Sequence, residues 1–267
     1  MSPAKDRAAP EAGPCADVPS ERRRGRVAGA AGFVAVAVTL GALLVSARGT
    51  PRVGDGDEPV DRARRLTEFH DDLGLHVTGL GMRAVGLVAT VVLGLYLARA
   101  VIDRGGRDGR WLRGLAVGAP TLLLCVLVVG FLGLRDVADA FYDGARTPSR
   151  ADALTSDSAV LRIVSVAEIL AHVVFGAWLI LLALRALAVG LLTRVLGYWG
   201  VGAGVVGMLL PIGDTLFIGW LASVSFLAWG WWPGGVPRAW VTGAAEELDL
   251  PLEHHPPRQP KNEESHR

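Results

Sequence analysis

Residues 163–187 read IVSVAEILAHVVFGAWLILLALRAL, an apolar run that holds one carboxylate, one imidazole and a single arginine near its end. A bilayer core is about 30 Å thick, so a helix that crosses it needs about 20 mostly apolar residues. This run has that length, and five others resemble it: Val27–Ala47, Ala84–Val101, Gly114–Leu134, Val195–Leu210 and Leu216–Trp232. No soluble fold of 267 residues needs six such stretches. The pattern predicts an all-α protein, a polytopic transmembrane helical bundle of six spans.

Composition agrees. Charged residues make up 20% of the chain, against about 25% in an ordinary globular domain, and they crowd into the gaps between the apolar runs. A net charge of +1 gives no argument for nucleic-acid binding. The expected partner is the lipid bilayer. Of 27 basic residues only Lys5 and Lys261 are lysines, which with 34 glycines points to a GC-rich, actinobacterial genome. Cys15 lies in the polar leader and Cys125 inside an apolar run, so they sit on different levels and form neither a disulfide nor a metal pair. The first run follows Arg22-Arg23-Arg24-Gly25-Arg26 and ends at Val45-Ser46-Ala47, as a secretory signal does. A signal peptide's apolar region is about 7–15 residues. This one is longer, so an uncleaved first span is expected.

Between the spans the chain changes character. Residues 1–26 are expected as a disordered cytoplasmic tail, 27–232 as the transmembrane domain and 233–267 as a second cytoplasmic tail with six prolines and the pair His254-His255. After Pro59, Val60, Ala63, Leu66, Thr67, Leu73 and Val77 fall at helical spacing among Arg62, Arg64, Arg65, Glu68, Asp71 and Asp72. This predicts an amphipathic helix lying at the membrane interface before span 2. The loop 135–158 is acidic, and spans 5 and 6 turn over Pro211-Ile212-Gly213-Asp214. Arginines crowd the short links: Arg22 to Arg26, Arg104 to Arg113, Arg185 and Arg194. The positive-inside rule then puts both termini in the cytoplasm of a multi-pass cell-membrane protein, with Trp229, Trp231 and Trp232 at the inner headgroup level.

Two features within the spans carry functional readings. Gly200 and Gly204 are four residues apart on span 5, flanked by Gly197 and Gly207. Small residues at that spacing let helices approach closely, either against span 4 or span 6 or in a homo-oligomer. Span 4 carries Glu168 and His172 on one helical face. Counted inward from Arg162, they lie about 9 Å and about 15 Å deep. Ionisable groups there cost several kcal/mol unless paired or facing water. Partners from the same side of the membrane are Arg83, Asp214, His70 and His76. Three uses of this cluster compete. One is a structural network in which Glu168 pairs with Arg83 and His172 bonds a backbone carbonyl. A second is an outward-facing polar cavity for a small solute or proton-coupled transporter. The third is a metal site in a membrane-embedded metalloenzyme, for which no compact ligand motif is present. No G-x-S-x-G, H-E-x-x-H, phosphate-cradling Gly-Lys loop or C-x-x-C occurs. No catalytic residue, metal or cofactor is expected on these grounds.

The stretches Gly190-Leu191-Leu192-Thr193-Arg194-Val195-Leu196-Gly197 and Trp231-Trp232-Pro233-Gly234-Gly235-Val236-Pro237-Arg238-Ala239-Trp240 resemble those of a group of uncharacterised actinobacterial multi-pass membrane proteins, and Asp61 to Gly79 is similar too. The resemblance implies a six-span integral membrane protein and transfers no activity or site residue. The first expectation for function is a structural or scaffold role in the cytoplasmic membrane.

Overall fold

The computed structural model describes residues 18–49, 59–105, 109–209, 213–232 and 235–246. Among these residues all regular structure is helical: α1 (Val18–Gly49), α2 (Pro59–Asp71), α3 (Leu73–Asp103), α4 (Gly109–Tyr142), α5 (Pro148–Asp157), α6 (Ala159–Ala188), α7 (Arg194–Leu209), α8 (Gly213–Trp229) and α9 (Arg238–Thr242).

Four segments are long and apolar enough to cross a membrane: Ser20–Val45, Leu73–Asp103, Gly109–Tyr142 and Ala159–Ala188. The fifth and sixth apolar runs form α7 and α8, of 16 and 17 residues. At about 1.5 Å per residue these are about 24–26 Å long, short of a bilayer core. The six runs are therefore not six equal spans.

Local chemistry sets the boundaries. Helix α1 begins at Val18, so Arg22 to Arg26 ride on its first turns and not in the expected tail. Packing overrides composition here: a Cβ on Gly25 would meet the Tyr96 hydroxyl at 2.7 Å and the Ala228 carbonyl at 2.9 Å. The amphipathic segment after Pro59 is helical as its spacing predicts, and it breaks at Asp72 before α3. Helix α5 was not foreseen in the acidic loop. Its start is nonetheless written in Thr147-Pro148: the threonine accepts a hydrogen bond from the Arg150 N–H, and the proline occupies the first turn. Ser158 ends α5 and caps α6 by accepting from the Leu161 N–H, so a single residue separates the two helices. Helix α9 lies in the expected second tail. It closes on Gly243, whose φ of 68° is the left-handed conformation that suits glycine. Residues 1–17 and 247–267, the remainder of the two expected tails, lie outside the described residues.

The core is divided in two. The larger apolar cluster joins α1, α3, α4, α6, α7, α8 and α9 around Leu93, Leu97, Trp178, Leu182, Trp220 and Leu221, each at most 1% exposed. The smaller one joins α2, the end of α4 and α5 through Leu66, Phe69, Val137, Ala138, Phe141 and Ala151. Helices α6 and α7 run antiparallel, with Gly197 against Leu187 and Gly204 against Gly176. A Cβ on Gly176 would lie 2.5 Å from the Gly204 carbonyl oxygen, so backbone approaches backbone at this crossing. Because Gly176 meets the last turns of α7, the first half of α6 continues beyond it. There α6 packs on α4 at Gly130 and Gly133 and exposes Ile163, Val166, Ile169 and Leu170.

Candidate functional site

Among the described residues, no ion pair or side-chain hydrogen bond joins Glu168 or His172 to Arg83, His70 or His76. Glu168 is exposed on the free face of α6 and has no ion-pair or hydrogen-bond partner for its carboxylate among the described residues. His172 Nδ1 lies 2.8 Å from the Glu168 backbone oxygen, within its own helix. Arg83 is half-buried on α3 and forms no ion pair with Glu168. His70 belongs to the cap made by α2, α4 and α5: its Nδ1 is 3.2 Å from Asp139 Oδ1, and its ring stacks on Tyr142 at 3.8 Å. His76 stacks on Phe69 at 4.6 Å. The Asp214 side chain lies outside the described residues. Among those described, no group of three His, Cys, Asp or Glu residues is placed to hold a metal ion.

Gly200 and Gly204, the expected small-residue face, are buried against helices of the same chain. A Cβ on Gly200 would meet Trp220 Nε1 and Ala183, and one on Gly204 would meet Ile180 and the Gly176 carbonyl.

The concentrated polarity lies at the opposite end, where the arginine-rich links gather. Arg104 follows the last turn of α3, and its side chain has no solvent exposure. Burying a charge is costly unless it is paired and hydrogen-bonded, and Arg104 is both. Its Nη1 donates to the Ala100 carbonyl at 3.0 Å, one of the carbonyls that a helix end leaves without a partner. Its Nε and Nη2 donate to the Ala239 carbonyl at 3.2 and 2.9 Å. Glu21 Oε1 lies 2.8 Å from Nη1 as an ion pair, and the guanidinium carbon sits 5.4 Å from the centre of the Trp240 ring. Trp240 in turn donates from Nε1 to the Leu191 carbonyl at 2.8 Å and stacks on Tyr96 at 5.7 Å. One arginine thus ties together the start of α1, the end of α3 and α9, and Trp240 extends the tie to the link between α6 and α7.

Beside this knot is a cavity of about 390 Å³. Tyr96, Trp229, Trp231 and Trp240 supply aromatic walls, and Glu21, Arg22 and Arg26 supply charge. The ion pair does not satisfy Glu21: both carboxylate oxygens are buried, and neither accepts a well-directed hydrogen bond among the described residues. Three of the five Arg104 N–H groups donate to backbone carbonyls. Aromatic surface with a few convergent polar groups equips the cavity for binding.

Sequence reasoning missed this site because its parts come from four distant segments. The signal available in the sequence is Trp229 and Trp231 near the Arg22 to Arg26 cluster, which the sequence alone places at a membrane interface; Trp240 carries no such local signal. No protein-family model, curated protein or solved structure matches the chain, so the resemblance to an actinobacterial group rests on the quoted residues alone.

Proposed function

We propose that the chain is a multi-pass integral membrane protein with a structural role, in which all six apolar helices are embedded and both termini face the cytoplasm. The observation that carries the structural reading is the filled core. Trp178, Trp220, Leu93, Leu182 and Leu221 close the space between α1, α3, α6, α7 and α8. The buried polar residues described are Thr90, Arg104 and Ser225. Thr90 and Ser225 bond carbonyls of their own helices, at 2.9 and 2.6 Å. A solute path needs polar lining or a water-filled lumen at this depth, and the packing favours a scaffold over a transporter.

The membrane orientation draws support from exposed aromatic rings. Trp111, Tyr198, Trp199, Trp229 and Trp231 are all exposed, and each lies near a helix terminus at the arginine-rich end. A belt of indole and phenol rings beside arginines fits an inner headgroup layer. The amphipathic α2 then lies at the outer interface, locked to α5 by the Arg62–Asp152 ion pair. The shorter α7 and α8 cross by packing against α6 and α1, and local thinning of the bilayer accommodates their length.

Alkaline carbonate extraction followed by thiol labelling tests both parts. The protein stays in the membrane pellet, and cysteines at Leu182 and Trp220 resist a water-soluble maleimide from either side. Rapid labelling of either position would establish an aqueous path and overturn the structural reading in favour of transport.

A further inference from the structure

We infer that the outer leaflet dips above the α7–α8 turn, and that external water fills the dip down to Glu168 and His172. The inference rests on the membrane placement proposed above and deepens it: the thinning falls on one leaflet, over named residues.

Helix lengths supply the first ground. Helices α1, α3, α4 and α6 run for 32, 31, 34 and 30 residues, whereas α7 and α8 run for 16 and 17. The short pair is anchored at the arginine-rich end. Helix α7 starts at Arg194, close to the last turn of α6, and the last turns of α8 pack on Gly25 and Gly29 of α1. The whole shortfall therefore lies at the other end. Gly197 faces Leu187, Gly200 faces Ala183 and Gly204 faces Ile180. This antiparallel register leaves Leu209, the last residue of α7, level with Phe175. His172 then stands about 5 Å and Glu168 about 10 Å beyond the end of α7, at about 1.5 Å per residue.

The second ground is what α6 carries there. From Ile163 to Leu184 its polar side chains are Ser165, Glu168, His172 and the buried Trp178. The first three share one strip, spaced three and four residues apart. That strip continues through Gly176, Ile180 and Ala183, which face α7. The polar groups thus occupy the strip that a longer α7 would cover. Ser165 and Glu168 are exposed and His172 is partly so. The adjoining exposed face holds Ile163, Val166, Leu170 and Val173 and is apolar. Ser165 Oγ donates to the Arg162 carbonyl, and His172 Nδ1 lies 2.8 Å from the Glu168 carbonyl. These bonds stay within α6, so the carboxylate and His172 Nε2 have no partner among the described residues. Ionisable groups within a span face the bundle interior or water, not hydrocarbon. Below His172 the dip ends blind, since Phe175 packs edge-on against Phe217 at 5.1 Å and against Trp178 at 5.2 Å.

Single cysteines test the dip, because it ranks positions against their depth. A charged maleimide is applied to intact cells carrying the full chain with Cys15→Ala and Cys125→Ala, and Ser149→Cys serves as the external reference. Ser165→Cys, Glu168→Cys and His172→Cys are expected to react from outside. Val166→Cys and Leu170→Cys are expected to react about a hundredfold slower, since hydrocarbon excludes the reagent and keeps a thiol protonated. The decisive pair is His172 and Val166: the histidine is about 9 Å deeper, so a flat bilayer predicts the reverse order. Equal rates at that pair, or protection of either Glu168→Cys or His172→Cys, overturn the inference. Unsubstituted protein in vesicles supplies a reading free of folding defects. Hydroxyl radicals formed in the external water are expected to oxidise His172 as fast as His70 in the exposed cap, and protection of His172 relative to His70 overturns the inference as well. Protein that stays in the carbonate pellet and labels at Ser149→Cys from outside, yet is protected at His172→Cys, contradicts this inference alone. Extraction by carbonate contradicts the membrane placement beneath it.

Discussion

The two ends of the bundle hold their charges in opposite ways. At the capped end, α2 meets α5 and α4 through ion pairs near the surface, Arg62–Asp152 with side chains 27% and 45% exposed and His70–Asp139 with 35% and 48%, and Arg135–Asp139 within α4 adds a third with 51% and 48%. At the arginine-rich end a single guanidinium with no exposure binds two backbone carbonyls and a carboxylate. Exposed pairs contribute about 0–1 kcal/mol each, because water and salt already solvate both partners. A buried charge cannot lose one partner without exposing the desolvation cost of the other. Several salt bridges at one end should therefore matter less than one arginine at the other.

The sharpest break of this contrast is Arg104→Met. It leaves Glu21 buried without its counter-charge, removes the side-chain donor of the Ala100 carbonyl and leaves Ala239 only the Gly243 N–H. A loss of about 3–5 kcal/mol is expected, read as a large fall in the detergent melting temperature together with protease cleavage near α9. Next comes Gly204→Val. The added side chain strikes Ile180 and the Gly176 carbonyl, where a Cβ would lie at 2.7 and 2.8 Å. Overpacking of this kind costs about 1–3 kcal/mol, and melting with cysteine cross-linking across α6 and α7 reports it. At the capped end, Asp152→Asn should cost below about 1 kcal/mol, and the difference from wild type should vanish in high salt. An Asp152→Asn loss as large as that of Arg104→Met would end the distinction between the two regions. The smallest effect belongs to Glu168→Leu. With its carboxylate exposed on the free face of α6 and without a partner among the described residues, Glu168 ties no described helices together. The variant should assemble and melt as wild type, or slightly higher if the proposed membrane placement turns this face to lipid and not to water, since lipid disfavours an acid.

That last expectation departs from one of the three sequence readings, the structural network in which Glu168 pairs with Arg83. Spacing correctly placed Glu168 and His172 on one face of α6 and Arg83 on α3, because a helix fixes its own periodicity. Spacing does not say which face the neighbouring helices cover. Helix α7 reaches only to the level of Gly176, and α4 takes the other side, so Glu168 stays outside the packed interior. The long apolar helices, the amphipathic α2 and the intimate use of Gly200 and Gly204 were legible, since each rests on local pattern. The capping of α5 by Thr147 was also written locally but hidden in a loop read for its charge. The Arg104 site was not legible. It joins Glu21, Tyr96, Arg104, Leu191 and Trp240, and nothing local says that a residue just past α3 will receive the first turn of α1 and a short helix near the end of the chain. What the sequence did mark was the density of arginine and tryptophan at this end, which the buried knot and its cavity now partly explain.

The central claim is that these two ends lie on opposite sides of a membrane. Single cysteines at Arg23 and Arg110 for the arginine-rich end, and at Ser149 for the capped end, can be placed in a cysteine-free background and labelled in intact cells and in inverted vesicles. The account predicts that Ser149→Cys reacts only from outside, and that Arg23→Cys and Arg110→Cys react only from the cytoplasmic face. Labelling of all three from the same face would contradict it.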